Sequence, residues 1–102
     1  MSQQNFYEKY AQLAIDQQIK YGIPASITLQ QMALESGHGK SDLAANYNNY
    51  FGVKAGSSWK GPTVMKVDDH SYPEAFRVYG SVEESVENHS KASPAARRRD
   101  WI

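Results

Sequence analysis

Four carboxylates stand out by their position. Glu35 lies in the run Ala33-Leu34-Glu35-Ser36-Gly37-His38-Gly39, while Asp68, Asp69 and Glu74 fall in or beside the polar stretch from Asp68 to Glu74. A lone acid facing a loop of further acids is equipment for cutting a glycosidic bond: one carboxylic acid protonates the leaving oxygen, and a second group stabilises or hydrates the oxocarbenium-like centre. Glu35 would be the proton donor. Ile27, Leu29, Met32, Ala33 and Leu34 recur three and four apart, which predicts a helix with a broad buried face that ends at Glu35. Gly37 and Gly39 would stop that helix and leave bare backbone that another molecule can approach. The carboxyl end of a helix carries partial negative charge and disfavours an ionised Glu, and desolvation by Met32 and nearby aromatics would add to this; both push the pKa upward, as suits a general acid. Glu at a helix end with acids in a loop also occurs in proteins without activity, so spacing alone leaves an inert surface as the alternative.

The elements around these residues read as one small α+β domain. Asn5 and Glu8 form a variant capping box, and Phe6, Tyr10, Leu13, Ala14, Ile15, Gln17 and Ile19 predict an amphipathic helix to about Tyr21. Gly22 ends it, and Pro24 suits the start of the second helix, so the two should pack together after a tight connection. Lys40 to Ala45 predicts a short helical turn. Asn46 to Gly52 is a turn-rich loop whose asparagines either close turns on backbone or face a substrate. Thr63–Val67 and Ala75–Tyr79 predict a small antiparallel hairpin. Ser81 and Glu84 form a second capping box, opening a helix through Val82, Ser85, Val86 and His89 that ends near Ser90. The tail from Lys91 to Ile102 contains Pro94 and the cationic run Arg97 to Arg99; it reads as a solvated end, or as a contact for phosphate polymers.

Composition narrows the partners. With 102 residues there is room for one core. Apolar residues make up 40% and charged residues 22%, a globular balance. Eleven basic and eleven acidic side chains cancel, so no field of one sign draws in nucleic acid or an anionic membrane. Aromatics at 12% either line a sugar groove or serve as ordinary core and surface residues. There is no cysteine, and His38, His70 and His89 are too scattered for a metal motif, so neither a metal nor a cofactor is expected. The polar N-terminal stretch reads as neither a signal peptide nor a membrane span, so delivery is expected to depend on something else, as with a phage lysin released from the cytoplasm. A monomer is expected.

The string ASITLQQMALESGHGKSDLA, followed by NNYFGVK, Trp59-Lys60-Gly61 and FRVYGSVEESVENHS, resembles glycoside hydrolase family 73, the endo-β-N-acetylglucosaminidases of peptidoglycan turnover. The resemblance covers roughly Tyr7 to Ser90 and is strongest to forms from Bacteroidetes and their phages. It implies a lysozyme-like α+β fold, mainly helical with a small β-lobe, and hydrolysis of the β-1,4 bond after N-acetylglucosamine in peptidoglycan glycan strands at the cell wall. Glu35 takes the position of the family acid. Asn48, Asn49, Tyr50 and Phe51 correspond to the loop that shapes the sugar groove, with Trp59 and Tyr79 as further binding residues. The second carboxylate, carried on the β-lobe, falls on Asp69, Asp68 or Glu74; alternatively, the substrate's own 2-acetamido group attacks the anomeric centre.

Three departures accompany the resemblance. His38 replaces an aromatic stacking platform beside the acid; it either pairs with Glu35, were the helix to continue, or stands in a loop in water. The β-lobe is short. After Ser90 the family continues with further helices that this sequence lacks, so residues 1–90 read as a glucosaminidase domain incomplete at its C-terminus and residues 91–102 as an atypical basic tail, with reduced stability and activity expected. The competing readings are a muramidase or lytic transglycosylase of the same fold, an inactive peptidoglycan-binding module, and an unrelated interaction domain.

Overall fold

The computed structural model describes residues 3–67 and 72–93. Two helices form its base. α1 (Gln3–Tyr21) buries Phe6, Tyr10, Ala14 and Gln17, a stripe at helical spacing. Ile15 and Ile19, expected on that stripe, lie off it and are exposed. The helix begins two residues before Asn5, so Asn5 belongs to the first turn instead of capping it.

Gly22 closes α1 with φ 76°, and the carbonyl of Pro24 accepts from the amides of Ile27 and Thr28 to start α2 (Ala25–Ser36). The buried stripe of α2 is Thr28, Met32, Ala33 and Ser36. It is turned relative to the expected apolar face, leaving Ile27 and Leu34 in solvent. Two small hydroxyl residues replace two large aliphatics because α2 packs closely on α1 and Ser36 has hydrogen-bonding duties inside.

Ser41 caps α3 (Asp42–Tyr47), its Oγ accepting from the amide of Ala44 at 3.1 Å. β1 (Thr63–Val67) and β2 (Pro73–Arg77) form an antiparallel hairpin in the register Thr63↔Arg77 to Val67↔Pro73. β1 has the expected bounds. The strand β2 lies two residues earlier than expected: the Val78 amide still bonds the in-register carbonyl of Pro62, but proline has no amide to return, and the Tyr79 amide is taken by the carbonyl of Tyr47. Residues 53–55 add a short third segment through the Lys54↔Phe76 bridge. Ser81 caps α4 (Val82–Ala92), accepting from the Glu84 amide at 3.1 Å, while the Glu84 carboxylate accepts from Gly80. α4 runs two residues past Ser90. The core joins all four helices and the 48–53 loop through Phe6, Tyr10, Met32, Ala33, Ala44, Tyr50, Phe51 and Val86. The tail beyond Ser93 lies outside the described residues.

Candidate active site

Glu35 is the penultimate residue of α2, and its neighbours decide where it points. Ser36 is fully buried; its Oγ donates to the Met32 carbonyl at 2.6 Å and accepts from the Gly39 amide at 2.8 Å. The His38 amide returns to the Ala33 carbonyl and the Ser41 amide to the Ser36 carbonyl. Gly37, His38 and Gly39 take consecutive left-handed φ values of 59°, 57° and 83°, the conformation that glycine allows at a helix end. A Cβ on Gly39 would lie 3.4 Å from the Phe6 ring, so this turn is pressed onto the core. With Ser36 drawn inward, Glu35 is turned out and exposed. Met32, offered by the sequence as a desolvating neighbour, is 1% exposed and belongs to the core. Among the described residues the Glu35 carboxyl has no hydrogen-bond or ion-pair partner, which leaves it free to exchange a proton with a bound molecule.

His38 does not pair with Glu35. It is half-buried, with its ring edge-on to Phe6 and Tyr7 at 5.6 and 5.9 Å, so it is a packed residue and not a loose one.

The 48–53 loop is fixed by its asparagines. Asn48 is the left-handed cap of α3 and donates to the Tyr79 carbonyl at 3.1 Å. Asn49, 1% exposed, donates to the carbonyls of Val53 and Arg77 and accepts from the Val53 amide, all at 2.9–3.0 Å. Both amides therefore serve backbone. The Tyr50 amide donates to Ser85 on α4, and its hydroxyl meets that of Tyr10 at 3.2 Å. Burial first, and that bond second, push the Tyr50 phenol up to about 12. Phe51 stacks flat on His89 of α4, with ring centroids 3.8 Å apart and 9° between the planes.

Trp59 and Tyr79 meet elsewhere, at the root of the hairpin. The half-buried Trp59 donates to the Pro62 carbonyl at 2.9 Å, with its ring 5.4 Å from Tyr79 and 4.8 Å from the Arg77 guanidinium. Tyr79 is 2% exposed and its hydroxyl donates to Asn88 at 2.7 Å. Burial raises its pKa against the opposing pull of Arg77. Tyr79, Asn49 and Tyr50 thus spend their polar atoms on holding the scaffold together.

Of the loop carboxylates, Glu74 stands on β2 opposite Lys66 and is held by Lys54 at 2.5 Å. Asp68 and Asp69 lie outside the described residues. Among the described residues no three His, Cys, Asp or Glu side chains gather as a metal site would require.

The structure adds a residue that the motifs did not assign. His89 is half-buried on Phe51; burial lowers its pKa, and the negative charge of Glu35 pulls the other way. Phe51 and His89 are therefore neighbours drawn from the loop and α4. The signal was in the spacing: Ser85 and His89 are four apart on α4 and present one face to the loop.

The sequence profile of the glucosaminidase family, described as mannosyl-glycoprotein endo-beta-N-acetylglucosaminidase, matches residues 11–97. The exo-glucosaminidase LytG of Bacillus subtilis strain 168 is 39% identical over 79 residues, covering 71% of this chain and 27% of that protein. The peptidoglycan hydrolase FlgJ of Escherichia coli K12 is 38% identical over 90 residues, covering 78% and 28%. The crystal structure of a peptidoglycan hydrolase from Sphingomonas sp. A1 superposes with a TM-score of 0.79 at 31% identity, covering 91% of this chain and 64% of that one. The lysozyme-like α+β architecture expected from the sequence is the fold observed. The chain spans little more than a quarter of the length of these two curated relatives.

Proposed function

This chain belongs to the glucosaminidase family, and on that premise we propose that it is a glycoside hydrolase that cuts the β-1,4 bond after N-acetylglucosamine in bacterial peptidoglycan, acting at the cell wall. The observation that supports this most directly is Glu35, a solvent-facing carboxyl without a protein partner among the described residues, at a helix end whose backbone turns sharply away from it. As the bond from C1 to the leaving oxygen lengthens, Glu35 gives its proton to that oxygen. The positive charge growing at C1 is met by a second carboxylate or by the sugar's own acetamido oxygen, and water completes hydrolysis. Glu74 is already engaged by Lys54, which favours Asp69 or Asp68 as that second carboxylate. The glycan strand is the only partner this chemistry needs, and a monomer suffices for it.

The test is digestion of purified peptidoglycan, with borohydride reduction of the products and mass spectrometry. Reduced glucosamine ends are expected, and Glu35→Gln should lower the rate by a factor of about 10² or more. Reduced muramic or anhydro-muramic ends would make the protein a muramidase or a transglycosylase. Cell-wall binding without turnover by the unsubstituted chain would make it a binding module.

A further inference from the structure

We propose that the groove between α1 and α4 is a binding site for a short zwitterionic peptide, and that its occupant is the stem peptide of the glycan substrate. The identity of the occupant rests on the reading of peptidoglycan as substrate; the charge pattern that selects it does not.

The groove measures about 550 Å³, and Glu35, Phe51 and His89 take no part in its walls. Its two ends differ in charge. Glu83 and Glu84, in the first turn of α4, form an acidic end, and Lys91, in the last turn, forms a basic end. Between them Glu87 and Lys20 neutralise each other at 2.9 Å. Glu83 and Lys91 are exposed, and neither has a hydrogen-bond or ion-pair partner among the described residues. Glu84 gives one carboxylate oxygen to the Gly80 amide and has the other to offer.

The floor adds a second, independent sign of a ligand. Leu13 supplies half-buried apolar surface. Gln17, 3% exposed, has its amide oriented by donation from Nε2 to Glu87 at 3.3 Å, which leaves its Oε1 buried and without a hydrogen-bond partner among the described residues. An unpaired buried acceptor is costly, and an N–H donor brought into the groove relieves that cost.

Length selects among ligands. Glu83 and Lys91 stand eight positions apart on α4, so the helical rise sets their backbones about 12 Å apart. An extended chain covers that span in about three to four residues. The complementary ligand therefore carries an ammonium at one end, a carboxylate at the other and a few backbone N–H groups between. A metal ion does not fit, since no three acidic or imidazole side chains gather among the described residues. A peptidoglycan stem peptide does fit: its diamino acid has a free ammonium and its last residue a free carboxylate. Holding that stem gives the protein a second grip on its polymer, which raises the effective concentration of glycan at the active site.

The test follows backbone amide shifts of the whole chain by NMR. The probe is the stem tetrapeptide L-alanyl-γ-D-glutamyl-meso-diaminopimeloyl-D-alanine, with its N-terminus acetylated to imitate its link to the sugar. Saturable shifts are expected at Leu13, Gln17, Glu83 and Lys91, with a Kd on the order of 1 mM, as a few exposed charge contacts supply. Acetylating the diamino acid's free amine should weaken binding at least about threefold, as should Glu83→Lys and Lys91→Glu. The doubly acetylated peptide probes the same contact on the unsubstituted chain, so the test does not depend on either variant folding. No saturable shift up to about 10 mM, shifts confined to Gly37 and Gly39 beside Glu35, or equal affinity for the two peptides would overturn the proposal. The tetrapeptide has no glycosidic bond, so failure of the hydrolase reading shows separately. A chain that binds it without cutting glycan upholds the groove and refutes the hydrolase; a chain that cuts glycan and ignores it does the reverse.

Discussion

Asn49 sits in the 48–53 loop, and its side-chain amide is spent on three backbone groups of Val53 and Arg77 inside the protein. Removing it strands buried donors and acceptors, which costs more than the bonds themselves contribute. Asn49→Ala is therefore expected to lose about 2 kcal/mol of stability, or roughly 10 °C of melting temperature for a domain of this size, measured by thermal unfolding. A variant with unchanged melting and a raised KM would instead put Asn49 in contact with sugar. Glu35 is the opposite case. Its carboxyl makes no hydrogen bond or ion pair among the described residues, so Glu35→Gln should melt within about 0.5 kcal/mol of the parent while losing activity. Two residues of one motif set thus divide into one bound up in the scaffold and one whose side chain faces solvent.

At the scale of elements, α2 tests how sequence patterns are read. Met32 and Leu34 look equivalent in an apolar run, yet Met32 is 1% exposed and Leu34 79%. Met32→Ala should cost about 2–5 kcal/mol, and Leu34→Gln less than about 0.5 kcal/mol, as read from denaturant midpoints; similar losses at both positions would mean that Leu34 is covered in solution. Helix existence was legible here because Gly22, Pro24 and Gly37 punctuate the chain, and Thr63–Val67 was legible to the residue. The facing of α2 was not. Apolar periodicity carries no information about which small residue the tightest packing and an internal hydrogen bond will select, and Ser36 was chosen for both. The shift of β2 has a similar cause, since Tyr79 looks like a strand residue but its amide is claimed by α3. Around the candidate site, the exposed helix-end carboxyl was legible from the motif order, whereas the stacking of His89 on Phe51 was not, because it joins residues 38 positions apart that only tertiary packing brings together.

Over the whole molecule, Glu87 adds a polar tie between α1 and α4 to the packing of the core they share. Glu87 accepts from Tyr21, from Lys20 at 2.9 Å and from Gln17 at 3.3 Å, beside a groove of about 550 Å³ that also involves Leu13 and Lys91 and does not include Glu35, Phe51 or His89. Burial acts to raise the Glu87 pKa, but these three donors outweigh it and lower it from 4.5 to about 2. A depressed carboxyl stabilises the fold above its unfolded value, and that contribution is lost as pH falls from 4.5 through about 2. Glu87→Gln should therefore melt lower than the parent near neutral pH, by about 1 kcal/mol after solvent screening, and the difference should vanish near pH 2; a constant difference at all pH values would locate the effect elsewhere. The root of the hairpin bears on how the molecule can bend. Arg77 bonds the Lys54 carbonyl and Asn88 and lies over Trp59, while Asn49 grips the Arg77 carbonyl and Asn48 that of Tyr79. The β-lobe is thus clamped to α4 and the loop at its base like a beam set in a wall. A glycan strand lying against it would meet a stiff root, and any accommodation falls to flexure of the two-stranded ribbon beyond the Thr63↔Arg77 pair.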